Sequence, residues 1–242
     1  MLGLWGLPLS AASAAQVQVL AGYAIAAPLH ELAAQFERTS GDRLVFQFGT
    51  APQLVELIKH SASFDLVIVP SDVLSNPAAR ARLRPGPVMN VAHIFLAVAV
   101  PAGKPRPDIR TRDSFRQTLL RASSIATLPA SATGARIMQM FDRMGIADAV
   151  RSRILAASTP AQVAQAVASG QAELGLFLSN VLTAPGVEVV GPFPDGLQQK
   201  IVFAATVGAD ARQPRTAEAF LHYLQSPAAR ALFQAHGVTP GY

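Results

Sequence analysis

A two-lobed α/β protein built on largely parallel sheets is predicted by three features of this sequence. Strand-like and helix-like periods alternate along the chain, the pattern of βαβ units. The alternation makes one unit up to about residue 93 and a second up to about residue 205, each of a size that supports its own core. The chain then ends on two helix-like segments with no strand of their own, which must pack on a lobe already formed. The apolar runs at 94–100 and 201–207 are natural crossings between the units. The expected division is residues 16–93 with 206–242 in one lobe and 94–205 in the other.

Taken in order, residues 16–21 (QVQVLA) alternate polar and apolar side chains, the period of a strand. Residues 28–39 place Leu29, Leu32, Ala33 and Phe36 on one helical face. Pro28 suits the first helical turn, where a missing N–H loses no partner, and Gly41 stands where a left-handed cap is unstrained. Residues 43–48 (RLVFQF) read as a second strand, 53–59 as a short helix and 64–69 (FDLVIV) as a buried third strand. A helix is expected after Ser71, with Leu74, Ala78, Ala81 and Leu83 inward, ended by Pro85, Gly86 and Pro87. Residues 94–100 (IFLAVAV) form a strand stopped by Pro101. The Pro-rich run 101–115 reads as a surface excursion into a helix starting near Asp113. There follow a strand at 124–128, a helix at 133–144 with Ile137, Met140, Phe141 and Met144 inward, and a helix at 160–169. Strands at 174–178, 187–190 and 201–207 precede terminal helices at 216–225 and 228–236.

Composition excludes several function classes. Of the 242 residues 50% are hydrophobic and only 14% charged; charge runs that would read as disordered are absent, and so is an apolar stretch long enough to span a bilayer. The net charge of +5 is carried mainly by Arg, the side chain suited to two-pronged contacts with carboxylate or phosphate. These residues are scattered singly without interleaved aromatics, which argues against nucleic-acid binding. With no cysteine, disulfides, thiolate nucleophiles and zinc ribbons are ruled out. His30, His60, His93, His222 and His236 show no metal-ligand spacing, so neither metal nor cofactor is expected. Residues 1–15 (MLGLWGLPLSAASAA) run from apolar to small side chains before Gln16. That segment reads as a signal-peptide remnant lacking its positive start, and the mature protein is expected to be periplasmic or secreted.

Six segments carry a family resemblance. They are PLHELAAQFERTSG (28–41), FQFGTAPQLVELIKHSASFDLVIV (46–69), SATGARIMQMFDRMGIADAV (131–150), GQAELGLFLSNVL (170–182), APGVEVVGPFPDGLQ (184–198) and SPAARALFQAHGVTPG (226–241). In this order they resemble the periplasmic molybdate-binding family of solute receptors and cover nearly the whole mature chain. The resemblance implies a type II periplasmic-binding-protein-like fold with a hinge, an interlobe cleft that takes a small anion, and an ABC permease as partner of a monomeric receptor. In that family hydroxyls in the turns after the first and second strands hold the oxyanion. The matching positions here are Ala24 and Ala51, and Leu178 stands where a tyrosine is usual. The FGT turn, the PGVE and VGP segment and the final PG are closer to a sister branch that includes aconitate isomerase. That branch implies an organic di- or tricarboxylate.

Helix starts supply the physics of such a site. Their N–H groups lack intrahelical partners and carry partial positive charge, so anions bind there. Ser131, Thr133 and Gly134 follow a strand and open a helix, offering hydroxyls and a close backbone approach, with Arg136 in the same first turn; the alternative is a plain N-cap. Thr50, with Gly49 and Ala51, forms the opposing cradle or simply a strand-to-helix turn. Tyr23 offers a phenol or packs at the rim. Ser71 opens a helix or only caps it. Ser179 and Asn180 follow the strand at 174–178, where the family places contacts.

Three functions remain open: a receptor for anion uptake, a cofactor-free isomerase moving a proton on an aconitate-like acid, and a ligand-sensing domain. The second needs an acid and a base within reach of the reacting carbons. Tyr23, Asp72 and His93 are the nominees, and the catalytic residues stay unassigned. The third lacks any appended DNA-reading helix pair.

Overall fold

The structure is a computed structural model describing residues 14–241; the signal-peptide reading of residues 1–15 lies outside it except for Ala14 and Ala15. Strands β1 (Gln16–Gly22), β2 (Arg43–Gly49) and β3 (Leu66–Pro70) pair in parallel in the order β2-β1-β3. A 3₁₀ turn, Tyr23–Ile25, and α1 (Ala26–Ser40) follow β1. α2 (Ala51–His60) follows β2, and α3 (Ser71–Ser75) with α4 (Pro77–Arg80) follow β3. Gly41 adopts the left-handed cap expected of it, at φ 77°.

β4 (Met89–Pro101) then runs 13 residues and serves both halves of the molecule. Its first part pairs antiparallel with β9 (Lys200–Val207) as far as Phe95, opposite Lys200. Its second part pairs with β7 (Leu174–Leu178), starting at Leu96 opposite Leu178, and with β8 (Val187–Pro192). Between them lie α5 (Arg112–Arg121), β5 (Ile125–Thr127), α6 (Ala132–Arg143), α7 (Ala147–Arg151), β6 (Ile154–Ala156), α8 (Pro160–Ala168) and α9 (Ser179–Leu182). β6 and β7 flank β5 in parallel. The chain returns through α10 (Pro214–Tyr223) and α11 (Pro227–Ala235) to β10 (Thr239–Pro240), which pairs with β4 with Thr239 opposite His93.

The hydrophobic cores divide on β4. Leu96, Phe115, Phe141, Leu176 and Phe193 belong to one cluster. Ile94, Leu29, Phe36, Phe203, Phe220 and Phe233 belong to another, on the face covered by α1, α10 and α11. Leu20, Leu54, Ile58 and Val67 fill the opposite face, under α2 to α4. Each fully buried aromatic or branched side chain contributes about 2–3 kcal/mol by leaving water. Half-buried Leu178 packs against both major clusters. The fold is therefore two-lobed α/β, joined where β4 and the segment before β9 cross.

Three expectations need correction. The sheet is mixed, because β4, β8, β9 and β10 run against their neighbours; a strand that crosses and returns between lobes cannot stay parallel to both. The single helix expected after Ser71 is two short ones, since Pro77 ends the first and the Asn76 side chain accepts from the Ala78 and Ala79 N–H groups to restart the second. Ala78 and Ala81 are consequently exposed, while Leu74 and Leu83 are buried. α1 begins at Ala26, two residues before Pro28. The four inward positions expected of α6, Ile137, Met140, Phe141 and Met144, are buried.

Candidate functional site

The strand pairings bring two sets of helix starts toward one another. Parallel pairing puts the carboxyl ends of β1, β2 and β3 on one edge of the first lobe, with Gly22 directly opposite Gly49. It likewise puts the ends of β5, β6 and β7 on one edge of the second lobe. β3 ends at Pro70, in a row with Phe203 and, through it, Ala92. β7 ends at Leu178, opposite Leu96. β3 runs in the sense of β4 and β7 runs against it, so the two edges point at each other. Along β4 they are four residues apart, about 13 Å at the rise of a strand. The edges also touch: the Asn180 Nδ2 donates to the Ala24 carbonyl at 2.8 Å. The starts of α1, α2, α6 and α8 therefore converge on one interlobe space, with unpaired N–H groups of the kind that hold anions.

Most of the sequence-nominated hydroxyls have structural partners. Ser131 caps α6, accepting from the Gly134 N–H at 2.9 Å and donating to the Leu128 carbonyl at 2.8 Å. Thr133 is half-buried and Gly134 buried, whereas Arg136 is exposed and makes none of the described ion pairs. Thr50 precedes α2, its N–H and hydroxyl both donating to Gln53 Oε1 at 2.9 Å, and half-buried Ala51 opens the helix. Tyr23 is 72% exposed. Ser71 is exposed at the start of α3, a helix of five residues. Ser179 is buried, its hydroxyl donating to the Gly237 carbonyl at 2.7 Å. The nominees thus form two groups, Tyr23, Ala24, Thr50, Ala51 and Ser71 on the first edge and Ser131, Thr133, Gly134, Arg136, Ser179 and Asn180 on the second. Among the described hydrogen bonds, Asn180 to Ala24 joins the groups.

The sequence predicts the helix of α8 from Pro160 but does not mark its start as part of the site. β6 is parallel to β5, so this helix opens on the same edge as α6. Its cap is a reciprocal pair: Thr159 Oγ1 accepts from the Gln162 N–H, and Gln162 Oε1 accepts from the Ser158 and Thr159 N–H groups. The Thr-Pro-x-Gln spacing at 159–162 is a capping-box signature and was available in the sequence. A buried hydroxyl was missed as well: Thr127, at the end of β5, has no hydrogen-bond partner in the structure.

Of the three acid–base nominees, His93 stands nearest the crossing, on β4 between Val202 and Thr239. Burial, and then the Lys200 ammonium, hold its pKa below the ordinary 6.5, so the imidazole is neutral at pH 7. Asp72 and Tyr23 are exposed. Asp65, just ahead of β3, is buried and accepts the backbone N–H groups of Gln18, Arg212 and Gln213 at 2.6–2.8 Å, a structural role. A groove of about 750 Å³ lies on the outer side of α2, lined only by residues between Gln47 and Ser61, and so belongs to the first lobe rather than to the space between lobes. No cluster of three His, Cys, Asp or Glu among the described residues is arranged to hold a metal ion.

Comparison with known proteins fits this geometry. The model for the bacterial extracellular solute-binding protein family matches residues 17–239, and the chain belongs to that family. It is 29% identical over 240 residues to an aconitate isomerase from Pseudomonas sp, covering 96% of this chain and 90% of that protein. It is 24% identical over 237 residues to the molybdate-binding protein of Azotobacter vinelandii, covering 96% and 93%. Its fold matches a substrate-binding domain attributed to a molybdenum ABC transporter from Clostridium difficile, with a TM-score of 0.78 at 15% identity over 94% of this chain and 99% of that one. The architecture is that of a type II periplasmic binding protein.

Proposed function

We propose that this extracellular solute-binding family member is a periplasmic receptor that closes on a small organic di- or tricarboxylate and delivers it to an ABC-type permease. We take its lobes as residues 16–93 with 206–242, and 94–205, with β4 and β9 as the crossing strands; the change of core between Ile94 and Leu96 supports a two-lobed division, with Ile94, Phe203 and Ala205 of the crossing strands packed into the first core. The observation that carries the reading is the convergence of helix starts from two opposed sheet edges. An acid whose carboxylates lie several ångströms apart engages starts on both edges at once, and its charge meets the positive ends of both helix sets. A compact tetrahedral oxyanion relies on a ring of short donors, and Ala24 and Ala51 remove two hydroxyls from that ring. Tyr23, Thr50, Ser71, Thr133, Arg136 and backbone N–H groups beside Ala51, Ser131 and Gly134 are the contacts proposed for the carboxylates. Closure by a hinge about β4 then buries the guest.

A second reading, a cofactor-free isomerase of aconitate, is favoured by the 29% identical relative. That chemistry takes a proton from one carbon and returns one to another, with no atoms gained or lost. The neutral His93 imidazole is a group that can take that proton at pH 7, and the imidazolium so formed can return it. Thermal shift with molybdate, sulfate, phosphate, citrate, cis-aconitate and trans-aconitate tests the first reading. A true ligand at one hundred times its Kd adds about 2.7 kcal/mol of stability. A response to molybdate alone overturns the carboxylate assignment. Chromatography of each aconitate after incubation decides the second: conversion makes the protein an enzyme, and binding without conversion makes it a receptor.

A further inference from the structure

We propose that Asn180 is an interlobe latch, a positioning residue that sets the balance between open and closed lobes without holding the ligand. The inference rests on the reading that the lobes close on a guest, and it departs from the sequence expectation that Asn180 is a ligand contact.

Two polar contacts of α9 reach the first lobe, and they differ in kind. Ser179 donates to the Gly237 carbonyl, and Gly237 precedes β10, which continues the line of β7 along β4: Leu178 pairs with Leu96, and Thr239 with His93. The fit there is tight, for a Cβ on Gly237 would come within 2.2 Å of Thr183 Oγ1, 2.8 Å of the Ser179 carbonyl oxygen and 2.9 Å of the Asn180 Cα. Gly237 also has a φ of 66°, which glycine adopts without strain. This contact lies beside the crossing strand, where β7 and β10 meet along β4, and a rotation about β4 disturbs it least. Asn180 instead donates to the carbonyl of Ala24, beyond the end of β1. β3 and β9 stand between β1 and β4 in the sheet, so the acceptor belongs to a part of the first lobe that is not itself paired with the pivot strand. A modest rotation at β4 separates it.

The same side chain makes the bond reversible. Its Nδ2 is paired across the gap, but its Oδ1 is buried with no partner. The closed arrangement gains one hydrogen bond and leaves one acceptor unsatisfied; opening loses the bond and returns Oδ1 to water. Contributions of opposite sign and similar size leave a small net bias, the condition for a two-state element that a ligand can shift.

The chain has no cysteine, so labels introduced by Ala62→Cys and Gln139→Cys, both exposed and one in each lobe, report interlobe distance by double electron–electron resonance in the absence of any ligand. Asn180→Ala and Asn180→Asp are compared with the parent after circular dichroism confirms folding. At pH 7 Asn180→Asp, which loses the donor and keeps the buried acceptors, is expected to broaden the distribution toward longer distances and move the open-to-closed ratio about five-fold or more, the worth of an ordinary hydrogen bond; Asn180→Ala, which removes the bond and the unsatisfied acceptor together, moves it in the same direction by less. The two variants part at low pH. Below about pH 4 a protonated aspartic acid is again a donor to Ala24, so Asn180→Asp shifts back toward the parent and Asn180→Ala does not. Coincident distributions for all three proteins at pH 7 overturn the latch, as does an identical pH response of the two variants. If one variant fails to fold, the other still decides at pH 7 against the parent. A receptor that binds none of the anions screened above sinks the functional reading and leaves this ligand-free measurement standing.

Discussion

At the scale of single residues, buried charge and burial-shifted titration make the sharpest expectations. Asp65 accepts three backbone N–H groups from β1 and from the start of α10, so Asp65→Ala strands all three donors inside the first lobe. The variant is expected to lose more than about 3 kcal/mol of stability, whereas Asp72→Ala, at an exposed carboxylate, should stay within about 0.5 kcal/mol; calorimetric Tm values at pH 7 separate the two. His93 gives a pH signature. Its folded pKa lies below the 6.5 of an exposed histidine, so the unfolded chain takes up the proton first. The stability it contributes is therefore present above pH 6.5 and is lost as pH falls through the folded value. His93→Gln should flatten that part of the acid limb in denaturant melts taken between pH 7 and pH 5, and an unchanged slope would refute the assignment. The structural role of Asp65 was legible because a carboxylate opening an apolar strand needs partners. The partners were not, because Arg212 and Gln213 lie far along the chain and no local pattern points to them.

Elements were read well where period and cap agreed, and less well where one residue had two reasons to be present. α6 shows both cases. Its apolar face followed from helical spacing, and the Ser131 cap from residue type. Gly134, however, reads in the sequence as an opening for a ligand, and the structure supplies a packing reason for it. A Cβ there would lie 1.7 Å from the Leu128 carbonyl oxygen and 2.8 Å from the Pro129 Cα, both backbone atoms that cannot swing aside. Gly134→Ala should accordingly cost about 3 kcal/mol or more, while Ser131→Ala, which loses a cap, should cost about 1 kcal/mol. Urea midpoints of the two variants test the ordering, and a Gly134→Ala protein as stable as its parent would show that α6 can move away from β5. The split of the helix after Ser71 has a local cause. Asn76-Pro77 is a short polar signal opening a helix of four residues, and so little sequence carries almost no period to read, whereas the nine-residue α8 is legible from Pro160 onward.

At the scale of the whole molecule, the alternation of strand and helix and the two strandless terminal helices sufficed to expect two lobes, but strand direction was beyond the sequence. Whether an apolar run such as the one in β4 pairs parallel or antiparallel depends on neighbours brought from elsewhere in the chain, here β7, β8, β9 and β10. The resulting architecture has a thermodynamic consequence. Two cores meet at β4 with Leu178 packed against both, and the described polar contacts of α9 with the first lobe are those of Ser179 and Asn180. So thin a seam couples the lobes weakly, and weakly coupled cores melt in separate steps. The unliganded protein is therefore expected to show a calorimetric enthalpy larger than the van't Hoff value. A carboxylate gripped by helix starts of both lobes binds only when both are folded, which adds its binding free energy to their coupling. Saturating ligand should then raise the midpoint and bring the two enthalpies together. A ligand that raises the midpoint and leaves the enthalpies apart would be held by one lobe alone, and the shared interlobe site would fall with that result.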